Sequence, residues 1–110
     1  MKGVINISDI NTSVFSGRLA ADPEFSDNGS TPFCKFSIAV NRYAGGEERT
    51  AFVPIKVFGN DAVRCKEYLH KGRLIVVKTH LETNKFTTTE GKTKTAFDFV
   101  AEQVSFGPKV

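Results

Sequence analysis

Apolar and polar residues alternate along much of this chain, and this alternation predicts short β-strands. The pattern is clear over residues 33–43 and returns over residues 50–58. Because successive side chains of a strand point to opposite faces, each run has one core face and one wet face. The predicted core faces comprise Cys34, Phe36, Ile38 and Val40 in the first run and Ala51, Val53, Ile55 and Val57 in the second.

Three further strands and one helix complete the predicted elements. Residues 12–19, 73–82 and 95–106 are rich in β-branched and aromatic residues and predict strands. A helix is expected from Asn60, as its N-cap, to about His70, with Gly72 as the stop signal. Ala62, Cys65 and Leu69 lie on one side of it.

Residues 83–94 form a polar arm between the last two predicted strands, and Glu90-Gly91 is typical of a hairpin tip. The predicted order is five strands, with the helix between the third and the fourth. This order is typical of the OB-fold, a small Greek-key barrel that binds oligonucleotides and oligosaccharides. We therefore expect an all-β protein with one helix and a long hairpin between the fourth and fifth strands. At 110 residues the chain is expected to be one domain. Val4, Ile5 and Ile7 are candidates for a further edge strand.

Composition adds a mild basic excess, with 15 lysines and arginines against 12 acidic residues, for a net charge of +3. This balance suits a polyanionic partner without requiring one. No apolar run reaches the ~18–20 residues of a membrane helix, and residues 1–7 lack a secretory signal, so a cytoplasmic protein is expected. Cys34 and Cys65 have no CxxC spacing and are interpreted as reduced, packed thiols.

Residues suited to catalysis are scarce. His70 and His80 are the two histidines, and neither is spaced to a Cys, Asp or Glu like a metal set. A phosphate-binding glycine loop, a nucleophile elbow and an HExxH string are all absent from the sequence. We therefore expect no enzyme, no cofactor and no metal.

The pattern favours nucleic-acid binding, because aromatic residues and lysines share the wet faces. Single strands expose both base faces and phosphates, and flat rings beside cationic groups bind both. On the two central strands this set is Lys35, Tyr43, Phe52, Lys56 and Phe58, and on the arm it is Phe86 with Lys85, Lys92 and Lys94. The alternative for each phenylalanine is a core position or, for Phe58 above all, a subunit interface.

Several segments resemble the bacterial single-stranded DNA-binding protein (SSB) family, in order from about residue 11 to residue 106. They are GRLAADPE (17–24), FSIAVNR (36–42), VFG (57–59), YLHKG (68–72) and FVAEQVSF (99–106). The resemblance implies an OB-fold that assembles as a homo-oligomer, usually a homotetramer. It also implies binding of single-stranded DNA without sequence preference, in replication, recombination and repair.

The resemblance also implies site residues. The family's stacking positions correspond to Phe52, Phe58 and Phe86, with a further one near Tyr43, and its basic positions correspond to Lys71 and Lys85. Strand face and neighbourhood add Lys35, Arg42 and Lys56 as expected phosphate contacts, the arm adds Lys92 and Lys94, and the first motif adds Arg18.

Among the departures of this chain from the family pattern, two bear on function. It has no Trp, so Phe or Tyr stands where many members carry Trp, which keeps a stacking face of smaller area. It also stops at residues 107–110, where the family usually continues through a linker to an acidic tip that recruits replication partners. Either a trimmed chain or a tailless relative from a phage or mobile element is expected. An OB-fold assembly factor, as in the primosome, and a binder of single-stranded RNA remain alternative hypotheses.

Overall fold

The computed structural model describes residues 9–27 and 29–107. The possible edge strand at Val4, Ile5 and Ile7 lies outside these residues. Along the described chain the elements are β1 (Ser13–Leu19), β2 (Glu24–Ser26), β3 (Phe33–Ala44), β4 (Glu47–Phe58), α1 (Asn60–Tyr68), β5 (Leu74–Thr87) and β6 (Thr93–Phe106). The nine-residue helix α1 is far too short and polar to cross a membrane, and the described residues contain no helix that does.

The strands form one sheet in the order β1-β5-β6-β4-β3-β2, and an additional β1–β3 pairing closes it into a barrel. Closure depends on Gly17, because a Cβ there would lie 2.3 Å from the carbonyl oxygen of Ala39. Only a residue without a side chain lets β1 approach the β3 backbone so closely. The expected five strands are therefore present, and β2 is an additional short strand on the edge of β3.

The barrel interior is filled by branched aliphatic side chains, as the alternation predicts. Ile38 of β3, Ile55 of β4 and Ile75 of β5 are fully buried, and each such side chain stabilises the fold by about 1.5–3 kcal/mol. The predicted core face of β4 is confirmed at Val53, Ile55 and Val57, whereas Ala51 is exposed because the strand has left the barrel there.

The helix follows β4 without a linker, and this abrupt turn makes the predicted N-cap wrong. Asn60 is the first helical residue, and Gly59 takes the cap position with φ 77° and no side-chain cap bond. A positive φ here suits glycine alone among common residues. The helix ends at Tyr68, two residues earlier than expected, and buries Ala62 and Cys65 against the barrel.

Two long hairpins project beyond the barrel. One is the β3–β4 hairpin, with its turn at Gly45-Gly46. The other is the β5–β6 hairpin, whose projecting part contains the predicted polar arm and keeps the name arm. The arm extends as a regular ladder to Thr87 and Thr93, and Gly91 donates to the Thr88 carbonyl at its tip. Because β4 and β6 are parallel neighbours, both hairpins leave the barrel at the same end.

Arg73 ties elements together at the far end of the barrel. The buried guanidinium of Arg73 donates to the carbonyls of Tyr68 and Gly107, which ties β6 to the end of the helix.

Cys34 and Cys65 are free, buried thiols, as predicted, and burial raises the pKa of Cys65 to about 12.

Candidate nucleic-acid interface

The side of the sheet away from the core, which we call the outer face, carries exposed aromatic rings on β4. Phe52 is 65% exposed and Phe58 is 48% exposed. Both have the strand parity opposite to buried Val53, Ile55 and Val57. The predicted wet face of β4 is therefore where these two rings lie.

Phe58 lies against a second ring that the sequence did not single out. Its ring centroid is 5.0 Å from that of Phe33, its partner residue on β3, with 36° between the planes. The pair forms an aromatic platform at the end of the outer face next to the helix. Phe33 therefore supports Phe58 from one side and leaves part of the Phe58 ring open.

Lys35 and Lys56 are cross-strand partners on the outer face between the aromatic positions. With Asp22 and Glu24 they line a groove of about 340 Å³. Asp22 lies on the loop that follows β1 and Glu24 begins β2 as the cross-strand partner of Lys35, so this groove is mixed in charge.

Asp98 of β6 governs the charge at Lys56. Its carboxylate lies 3.1 Å from Lys56 Nζ, and its second oxygen accepts a hydrogen bond of 2.6 Å from Asn84 Nδ2. Lys56 is thereby held on the outer face, but its charge is balanced by a carboxylate whose side chain is 15% exposed.

On the arm the predicted residues divide between two faces. Phe86 is 48% exposed and is the cross-strand partner of Lys94, so these two share the outer face. Lys85 pairs with Thr95 and therefore lies on the opposite face of the arm. Adjacency in sequence brought Lys85 and Phe86 together in the prediction, but strand geometry separates them.

The β3–β4 hairpin divides its residues in the same way. Tyr43 is 77% exposed on the outer face, opposite Glu48. Arg42 has the parity of the core residues and is paired with Arg49, so its expected location beside the outer-face lysines was wrong.

The remaining predicted basic residues lie at the two ends of the molecule. Arg18 donates to the Gly72 carbonyl at 3.0 Å, and the Lys71 amide donates to an Asp22 carboxylate oxygen at 2.8 Å. Both therefore help to fix the turn between the helix and β5. Lys92 lies in the tip of the arm, where its amide donates to the Thr88 hydroxyl.

Sequence reasoning missed a cluster around His80. The two ring nitrogens lie 2.6 Å from Glu82 Oε2 and 2.9 Å from Glu102 Oε2. The hydrogen bond to Glu82, reinforced by Glu102, raises the pKa of His80 above its usual value. Glu102 escaped notice because it lies 22 residues away, at a bulge in β6. Even so, the described residues contain no group of three or more side chains suited to holding a metal ion.

Sequence reasoning also missed Phe97, which is 62% exposed although its parity matches the core. The polar residues of the arm were the sequence signal that could have revealed it. The cross-strand partner of Phe97 is Thr83, and the arm around Thr83 offers no apolar surface to bury the ring. Phe97 therefore belongs with the exposed rings, on the face of the arm opposite Phe86.

Comparison with known proteins agrees with this architecture. The chain matches the profile of the single-strand binding protein family over residues 10–107. It is 33% identical over 101 residues to single-stranded DNA-binding protein 2 of Clostridium acetobutylicum, covering 88% of this chain and 76% of that protein. It is 36% identical over 101 residues to single-stranded DNA-binding protein 2 of Staphylococcus aureus (strain COL), covering 88% and 73%.

Among solved structures, the fold matches that of the Plasmodium falciparum SSB complex with ssDNA with a TM-score of 0.80. This match has 24% sequence identity and covers 94% of this chain and all of the other chain. The shared architecture is the five-stranded barrel with one helix, so the predicted OB-fold is confirmed. With its profile match over nearly the whole length and relatives above 30% identity, this chain belongs to the single-strand binding protein family.

Proposed function

We propose that the protein binds single-stranded DNA without sequence preference and protects it in replication, recombination and repair. The observation that carries the proposal is the outer face, where exposed Phe52, Phe58 and Phe86 accompany Lys35, Lys56 and Lys94. Membership of this family indicates a binding protein rather than an enzyme.

The chemistry of the outer face selects for single strands. In a duplex the bases are stacked on each other, whereas a single strand offers its base faces to protein rings. Stacking contributes about 1–3 kcal/mol per base and tolerates every base, because each has a π-face. Phe52, Phe58, Phe86 and Tyr43 are the proposed stacking residues.

Phosphate contacts supply the remaining binding free energy. The proposed set is Arg18, Lys35, Arg42, Lys56, Lys71, Lys85, Lys92 and Lys94. Binding should weaken as salt rises, with a slope of log K against log salt of about 0.7 per phosphate neutralised. Exchange of a single lysine for alanine should flatten this slope by roughly that amount.

We further propose that the chain assembles as a homotetramer in the bacterial cytoplasm. Exposed Val14 of β1 and Val76 of β5 support an additional interface, since they leave apolar surface on the same face of neighbouring strands. In the described chain, residues 13–16 of β1 also pair with a strand on one side only. The mass of the assembly in solution tests the tetramer directly.

Exchange of Phe52 for alanine tests the proposed function. The expected result is a loss of affinity for labelled oligo-dT of roughly 5- to 150-fold, which corresponds to one stacked base. Tyr68→Ala is the matched control, because Tyr68 is a half-exposed ring on the helix, outside the outer face.

Equal affinities of the Phe52 and Tyr68 variants would contradict base stacking on the outer face. An oligo-rU competitor of equal length tests the sugar preference in the same assay. Competition by RNA as strong as by DNA would redirect the proposal to single-stranded RNA.

A further inference from the structure

The two hairpins carry a second surface, on the side opposite the outer face. Inside the barrel this side is the core, since Ile55 of β4 pairs with Phe99 of β6 and both pack in the interior. Beyond the barrel the same side continues along both hairpins and becomes solvent-exposed. We call it the mouth face. On the β3–β4 hairpin it includes Val40, Arg42, Glu47, Arg49 and Ala51, and on the arm it runs from Thr83, Lys85 and Thr87 to Thr93, Thr95 and Phe97.

The β3–β4 hairpin places two arginines directly opposite each other on the mouth face. Arg42 and Arg49 are cross-strand partners, and like charges in this position repel each other. Glu47 lies 3.5 Å from Arg49 in an exposed ion pair, whereas Arg42 pairs with no carboxylate in the described chain. The two arginines line a groove of about 490 Å³ with Val40, Thr50 and Ala51. An anion seated between them would relieve the repulsion.

The arm contributes the aromatic part of the mouth face. Phe97 is 62% exposed, and its cross-strand partner is Thr83. Lys85 lies two residues beyond Thr83 on the same strand and therefore on the same face as Phe97. This face of the arm has no acidic residue; from Thr83 to Phe97 it comprises Thr83, Lys85, Thr87, Thr93, Thr95 and Phe97.

The outer face of the arm is different in charge. There Glu82 pairs with Asp98, and both acids flank the approach to Phe86. A polyanion that contacts only the outer face would meet these carboxylates. On the mouth face three cations, Arg42, Arg49 and Lys85, stand against the single acid Glu47.

We propose that the mouth face is a second binding surface for single-stranded polynucleotide, an inference that rests on the proposed function. A phosphate lies between Arg42 and Arg49, a base stacks on Phe97, and Lys85 contacts a neighbouring phosphate. The strand thus follows both sides of the hairpins rather than the outer face alone. Charge complementarity and the exposed ring together favour this occupant over a protein partner.

Single tryptophans test the inference, because the chain has none of its own. Three variants are needed: Phe97→Trp on the mouth face, Phe52→Trp on the outer face and Tyr68→Trp on the helix as the control. Tryptophan fluorescence is followed while oligo-dT of about 35 nucleotides is added, and the mass of the assembly is measured with and without DNA. The expected result is quenching in the first two variants, none in the control, and an unchanged number of protein chains in the assembly.

Quenching of Phe52→Trp without quenching of Phe97→Trp would overturn the second surface and leave the proposed function standing. Absence of quenching in both, with no DNA binding, would mean that the proposed function itself has failed. Quenching of Phe97→Trp together with a change in the number of protein chains in the assembly would assign Phe97 to a contact between subunits and would overturn the inference.

A second measurement compares the DNA affinity and the salt slope of variants that lack a mouth-face side chain. Phe97→Ala is expected to weaken binding of the same oligo-dT by roughly 5- to 150-fold. Arg49→Ser is expected to flatten the salt slope by about 0.7, whereas Arg64→Ser, on the helix, should not change it. Unchanged affinity and slope in both mouth-face variants would overturn the inference.

Discussion

Asp98→Asn should strengthen DNA binding, because Asp98 is the acid that balances Lys56 on the outer face. The exchange keeps the size of the side chain and an oxygen that can accept the hydrogen bond from Asn84. It removes the charge 3.1 Å from Lys56 Nζ. The freed ammonium can then neutralise a phosphate without a competing carboxylate.

The magnitude follows from the geometry of that ion pair. A phosphate contacting Lys56 from the solvent side would lie roughly 6 Å from the Asp98 carboxylate. Their repulsion is about 0.7 kcal/mol at a dielectric constant of ~80 and about 2.8 kcal/mol at ~20. Affinity should therefore rise roughly 3- to 100-fold at low salt, and the salt slope should steepen by about 0.7.

Fluorescence anisotropy of labelled oligo-dT at several salt concentrations measures both quantities. Asp61→Asn is the matched control, since Asp61 also lies 3.1 Å from its cation, Arg64, but on the helix. It makes the same change in net charge away from the outer face. Identical affinities and slopes for the two variants would refute the reasoning that Asp98 restrains Lys56.

Three further predictions concern stability and reactivity. Gly17→Ala should lower the free energy of unfolding by about 1–3 kcal/mol in urea, because its Cβ would lie 2.3 Å from a β3 carbonyl oxygen, while Ser16→Ala should have little effect. The pKa of His80 is raised in the folded protein, so the contribution of its protonated ring to the free energy of unfolding is fully present below pH ~6.5. That contribution is lost as pH rises through the folded-state pKa. The difference in Tm between wild type and His80→Gln should therefore be larger at pH ~5.5 than at pH ~9. Cys65, whose pKa burial raises to about 12, should resist a thiol reagent at pH 8 until the protein unfolds.

Each of these has a contradicting outcome. Equal stability of the Gly17 and Ser16 variants would mean that barrel closure does not need the close β1–β3 approach. A pH-independent effect of His80→Gln would exclude a stabilising role for the protonated imidazole. Rapid labelling of Cys65 in the native protein would contradict its burial.

The sequence predicted the barrel best where one face of a strand is buried. In β3 and β4 the requirement to bury Ile38 and Ile55 imposes a strict alternation that is visible in the residues. The arm lacks this requirement, because both of its faces are wet. Its ladder to Thr87 is held by backbone hydrogen bonds, which leave no trace in the hydrophobic pattern, so the strand was predicted to end at residue 82.

Predictions for single residues failed where geometry overrode local preference. Asn60 is a favoured N-cap residue, but the direct turn from β4 into the helix requires a positive φ, which Gly59 supplies. Phe97 shares the strand parity of half-buried Phe99, yet its ring is exposed. Its exposure depends on how far the arm extends past the barrel, and no single strand contains that information.

The candidate site was predictable in composition but not in arrangement. The exposed rings at Phe52, Phe58 and Phe86 follow from strand parity and from resemblance. The division of the arm into two faces, and the Asp98–Lys56 ion pair between β6 and β4, depend on strand register. Register between distant strands is set by the folded barrel, so these features needed the structure.

Stacking of single-stranded DNA on the outer face is tested most directly by comparing a labelled oligo-dT with a duplex of equal length, by anisotropy, at two salt concentrations. We expect tight binding to the single strand that weakens with salt, and little binding to the duplex. Equal binding to both, or binding to neither, would contradict the claim that exposed rings on this barrel stack the bases of single-stranded DNA.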